Sequence, residues 1–198
     1  QATAREAQVD TWIDATFVER TLPLLRPDVA FVYTRTRIHE PGNPETKVLL
    51  RHPAGIGPRA RIVQFLLREK LPISPGCALF RRRDVLKNLL TEVPGASGKY
   101  GRNSGVGEDL LLFLLATLDY PRYAHLPEAL SHFLAHPVSI TTDAVSTGKM
   151  AALAAAYQLA KNHYLAQPGS LAPARGITAR LARIRWQIAC HLARLRSS

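Results

Sequence analysis

The 198-residue chain is short of cysteine, of acid and of long apolar runs, and each shortage excludes something. Its two cysteines, Cys77 and Cys190, stand far apart, with no Cys-x-x-Cys pair and no Cys/His cluster. Neither a disulfide framework nor a structural zinc site is expected from that usage, which suits a reducing, cytoplasmic location. No apolar run approaches the roughly 20 residues of a membrane-spanning helix. The longest, residues 110–116, has the length of a core helix. Aromatics make up 7% of the chain and no RRM, KH or zinc signature is present, so nucleic acid is not the expected partner despite the charge. The chain opens on Gln1 and a polar stretch, QATAREAQVD, which reads as neither a secretory signal nor a natural start. The expectation is a processed or trimmed piece of a longer protein.

What is abundant is arginine. It supplies 20 of the 26 basic residues, set against 15 acids, for a formal net charge of +11. A guanidinium is a planar fork that matches phosphate oxygens, so the surface favours phosphates, nucleic acid or anionic lipid. The charge lies in patches. FRRRD and the last 24 residues together hold nine of the 20 arginines.

At 46% hydrophobic residues, the chain suits one globular domain with an appendage. TWIDATFVERTLPLL predicts a helix that stops before Pro27, with Trp12, Phe17, Leu22 and Leu25 near one face. VAFVYTRTRIHE is the clearest strand, β-branched and aromatic, with Thr34, Thr36 and Ile38 alternating against Arg35, Arg37 and His39. PGNPETK reads as a turn. RARIVQFLLREK has helical spacing at Ile62, Phe65, Leu66 and Glu69. A short apolar strand is expected at 77–80, then a helix near Asp84. Residues 94–107 form a Gly/Ser-rich loop, long enough to be either mobile or functional. YAHL and ALSHFLAH are two short strand candidates. From about Asp143 the chain turns alanine-rich and helical, with Met150, Leu153, Tyr157 and Tyr164 on one stripe. A last helix carries a seam of Ile177, Leu181, Ile184, Ile188, Leu192 and Leu195. The expected organisation is a mixed α/β part over 1–142 and a helical extension over 143–198.

The stretch GVGEDLLLFLL, residues 105–115, sets Glu108 and Asp109 directly before a wall of leucines. Two readings compete. Acids at a helix start complement its exposed amides and dipole. Alternatively, a rigid helix start holds a carboxylate still for proton transfer.

Three pieces occur in a fixed order: SPGCALFRRRD, GVGEDLLLFLL and LSHFLAHPVSIT. Together, across roughly residues 10–165, they resemble the acceptor-side, C-terminal half of a family 2 glycosyltransferase of the GT-A type. In that family a strand runs into LFRR or similar, here 79–82. A glycine-rich loop then carries a Glu-Asp pair at the head of a buried helix, here Glu108-Asp109. A later strand leads to His-x-x-Ser with a following Thr, here His136, Ser139 and Thr141.

The resemblance implies an incomplete GT-A-like mixed sheet with helices, and the composition shift near Asp143 predicts a C-terminal helical hairpin after it. The resemblance also implies inverting transfer of a sugar from a nucleotide-sugar donor to a glycan or lipid-linked acceptor. Asp109 would be the general base, with Glu108 beside it. Arg81, Arg82, Gly107 and Ser139 would face donor or substrate. His136 would serve a divalent metal, Mg or Mn, or the donor diphosphate. Asp10, in QVDTWI, stands where the tail of the family's Asp-x-Asp metal motif would be, and the nucleotide-binding half before it has no counterpart here.

Plainer readings stand beside these. His136 suits a structural residue before Pro137, and His132 another. Arg81, Arg82 and Arg83 suit a solvated charge run. The segment 175–196 suits docking on the preceding helix as well as contact with an anionic membrane at its inner, cytoplasmic face. The competing function is a basic nucleic-acid-binding or helical interaction module without catalysis.

Overall fold

The computed structural model describes residues 10–12, 15–39, 47–49, 53–68, 75–90, 107–134 and 150–171. It is a mixed α/β structure built on two long strands, β2 (Val29–His39) and β6 (Arg122–Leu134), which pair in parallel. Each carries two short antiparallel strands end to end on its outer edge. On β6 these are β4 (Gly55–Pro58), along residues 122–125, and β1 (Asp10–Trp12), along 131–133. On β2 they are β5 (Ala78–Leu79), along 32–33, and β3 (Lys47–Leu49), along 36–38. The sheet therefore has six strands and is four strands across.

The first half of β2 is buried on both faces: Val29, Ala30, Phe31, Val32 and Tyr33 are fully inaccessible. A continuous apolar run of this kind is what a covered parallel strand needs. Beyond Tyr33 one face opens and the alternation begins, with Thr34 and Thr36 buried and Arg37 exposed. Thr36 Oγ1 and Ser131 Oγ share a buried hydrogen bond of 2.9 Å across the central pair.

Because parallel neighbours need a crossover, the chain between β2 and β6 is where the helices lie. They are α2 (Arg59–Arg68), α3 (Arg82–Asn88) and α4 (Glu108–Ala116); α1 (Phe17–Thr21) precedes β2 and α5 (Met150–Leu165) follows β6. Residues 110–116 of α4 are all buried, as a helix apolar on every side must be. Phe31 of β2, Phe80 after β5 and Phe113 of α4 meet with ring centroids 4.9–5.3 Å apart and clamp α4 to the sheet. α5 adds Ala160 and Tyr164 to the same apolar cluster. Arg59 closes the far end of α4, donating to the Thr117 and Leu118 carbonyls at 3.2 and 3.3 Å.

Three expectations are corrected, and one strand, β4, is added to them. Thr11 and Trp12 belong to a strand, residues 10–12, rather than to the start of a helix: pairing with residues 131–133 satisfies their backbone, and the helix that follows is only five residues long. YAHL and ALSHF belong to one strand, not two. Pro127 sits where the β2–β6 register slips, between the pairs Thr34–Leu126 and Arg35–Ala129. A residue lacking an N–H is tolerated at such an irregularity. β4 arises in a Gly/Pro stretch with no strand signal of its own. Lys47, expected in a turn, begins β3. The proposed second helix of the hairpin, 175–196, lies outside the described residues. No helix among the described residues is long and apolar enough to cross a membrane.

Candidate functional site

The head of α4 opens on a cleft. Gly107 is the residue before the helix and has φ 89°, ψ −17°. A Cβ is strained in that left-handed region, so glycine is what lets the chain enter the helix here. Its carbonyl accepts the first helical hydrogen bond, from the Leu111 N–H at 2.9 Å. No side chain caps the helix from position 107. The acids sit one step inside, as its first two residues. Glu108 is 7% exposed, whereas Asp109 is only half-buried. Asp109 Oδ1 accepts the Leu110 N–H at 2.7 Å, which satisfies one of the orphan amides of the first turn. The macrodipole adds a positive field at the same place.

Both carboxylates line a cleft of about 560 Å³ whose other walls are Ala78, Leu79 and Phe80 leaving the sheet, Val85 of α3, Leu89 just after it, and Leu112 of α4. Two segments 28 positions apart in the chain, Phe80 and Glu108, thus meet on one surface. Tyr157 of α5 lies near the two acids and is half-buried. Burial first, then the negative charges of Asp109 and of Glu108, push its phenol far above the ordinary value of 10.0. In the sequence Tyr157 is only one member of an apolar stripe. Its place beside the acids depends on how α5 docks, which no local pattern carries.

The arginine triplet divides by role. Arg81 is largely buried and holds structure. It donates to the carbonyls of Val29 at 2.8 Å, Leu25 at 3.2 Å and Arg26, pairs with Asp84 at 3.5 Å, and stacks over the Tyr120 ring at 4.9 Å. Arg83, exposed, reaches Asp84 at 3.6 Å and donates to the Tyr120 hydroxyl at 3.2 Å. Arg82 is exposed as the first residue of α3. A solvated run describes Arg82; it does not describe Arg81.

The metal candidates are only partly in view. Asp10 is on β1, its backbone paired with Phe133, but its side chain is outside the described residues, as are His136 and Ser139. Among the described residues no three of His, Cys, Asp and Glu gather closely enough to hold a metal ion. His125, fully buried, has its Nδ1 3.2 Å from the Pro53 carbonyl and stacks on Tyr33 at 4.6 Å; it belongs to the core.

Taken together, these observations define a mixed α/β protein with a carboxylate pair at a rigid helix start, opening on an apolar cleft. A half-buried carboxylate so placed can accept a proton from a hydroxyl or ammonium in the cleft. No family model, curated protein or solved structure matches this chain.

Proposed function

We propose that the chain is the acceptor-side part of a GT-A glycosyltransferase of family 2, with Asp109 as its general base. One observation supports this above the others. The segments that carry the resemblance, Leu79-Phe80 and Glu108-Asp109, are far apart in sequence and line the same cleft. In the proposed reaction an acceptor hydroxyl attacks the anomeric carbon of a nucleotide-sugar. Its proton passes to Asp109, the new carbon–oxygen bond forms, and the bond to the diphosphate breaks, its electron pair leaving with the nucleotide. Attack opposite the leaving group inverts the centre. Burial of residues 110–116 keeps the base in register, because α4 cannot slide without opening the core.

Donor contact is assigned to Arg82 and to the segment holding Ser139; Asp10 and His136 are the residues that would hold a divalent metal, which would neutralise charge at the diphosphate. Arg81 acts from behind as a clamp. The arginines of 175–196 offer contact with an anionic membrane at its cytoplasmic face. The competing reading, a basic binding module, gains nothing from a cleft whose charged groups are acids. The test is a panel of labelled nucleotide-sugars incubated with the full-length gene product, a divalent cation and mixed acceptors. Transfer that disappears in Asp109→Asn supports the reading. Absence of both transfer and donor hydrolysis across the panel would sink it.

A further inference from the structure

The cleft beside Asp109 is more apolar than proton transfer to a carboxylate requires. Apart from the two acids, its walls are Ala78, Leu79, Phe80, Val85, Leu89 and Leu112. A wholly hydrophilic glycan laid there would give up hydration against side chains that return no hydrogen bonds. The apolar surface also runs on beyond the cleft. Leu89 is 51% exposed, and Leu86, one turn earlier on α3, is 65% exposed. Their spacing of three places both on one side of the helix. Two of the five large hydrophobic side chains most exposed among the described residues thus sit at this rim.

We propose that the cleft is a binding site for an amphiphile. A hydroxyl-bearing head group lies at Asp109, and an aliphatic chain runs along Leu79, Phe80, Val85 and Leu112 and leaves over Leu89 and Leu86. The proposal rests on the transferase reading for the ligand's role as acceptor, but not for its chemistry. A cleft of about 560 Å³ is within the usual range for small-ligand sites and takes the head and the first part of the chain.

The test needs neither donor nor turnover. The 198-residue chain is titrated with methyl, hexyl and octyl β-glucoside, each below its micelle concentration, by calorimetry. Burial of the alkyl chain makes affinity rise about three- to fourfold per methylene, so about tenfold from hexyl to octyl. Leu89→Glu, at an exposed position that leaves the fold intact by circular dichroism, removes most of that dependence. Leu22→Glu, about equally exposed but not among the residues lining the cleft, keeps it. Asp109→Ala weakens octyl glucoside several-fold. Equal affinity for the methyl and octyl compounds overturns the proposal, as does an equal loss in Leu22→Glu, and unchanged binding in Asp109→Ala overturns the placement of the head group. A transferase with a hydrophilic acceptor would turn over and ignore chain length. An amphiphile-binding chain without transferase activity would show the chain-length slope alone, upholding this inference while ending the one above.

Discussion

The Tyr120 hydroxyl lies 3.0 and 2.9 Å from the two carboxylate oxygens of Asp84, inside the protein. Tyr120 follows the C-terminal end of α4 and Asp84 lies in the first turn of α3, so this contact ties the two helices together next to Val85, a wall of the cleft. Leu89, the residue after α3, and Glu108 of α4 both line the cleft. Arg81 belongs to the same polar knot, paired with Asp84 and stacked over the Tyr120 ring.

Arg81→Met should destabilise the chain by about 2–4 kcal/mol, because it strips one of the partners from a buried carboxylate and leaves three carbonyl contacts unmade. Arg82→Met should change stability by no more than about 0.5 kcal/mol. Urea midpoints for the two variants measure the contrast. Similar midpoints would mean that Arg81 is not a clamp.

Gly57 of β4 faces Tyr123, and a Cβ there would stand 2.8 Å from the ring Cε1. Tyr123 is 1% exposed and stacked on Tyr33 at 6.0 Å, so the ring cannot swing away. Gly57→Ala should cost about 1–3 kcal/mol by overpacking, read as a lower thermal midpoint with the same secondary structure content. An unchanged midpoint would contradict the close approach.

Tyr157 links α5 to the acids, and its raised pKa fixes a sign. A phenol that holds its proton more tightly when folded contributes stability fully present below its unfolded value of 10.0. That stability is lost as pH climbs through the folded value. The native chain should therefore lose more stability than Tyr157→Phe between about pH 8 and about pH 11, a window bracketing the free phenol. Denaturant midpoints at the two pH values give the comparison. Parallel losses in both proteins would separate Tyr157 from the carboxylates.

Local pattern made part of this fold legible. β2, α2, α3, α4 and α5 announce themselves through apolar spacing, because each buries one face or all of them. β1 and β4 do not, since an edge strand is stabilised by the partner backbone it meets, here β6, and residues 10–12 and 55–58 carry little apolar alternation of their own. Pro127 reads as a break between strands, yet the register slip opposite Thr34 and Arg35 absorbs it. At the candidate site Glu108 and Asp109 stand out as acids before leucines. Arg81 as a clamp and Tyr157 as a neighbour of the acids depend on contacts 50 residues or so away, which composition and spacing do not encode.

The structure sharpens the choice between cap and base at Asp109. The residue preceding the helix is Gly107, without a capping side chain, so neither acid fills that role. Asp109 still serves the helix through its 2.7 Å bond from the Leu110 N–H. Asn at 109 keeps an oxygen for that bond and nearly the same shape, but cannot take a proton. Asp109→Asn should therefore leave the melting temperature within a few degrees, and lower transfer by about 10²–10⁴-fold, with donor affinity unchanged. Glu108→Gln, at the more buried position, should shift stability more and rate less. Both quantities are to be measured on the same preparations. If Asp109→Asn melts early and transfers normally, the carboxylate serves only the helix start, and the base must be sought elsewhere in the cleft.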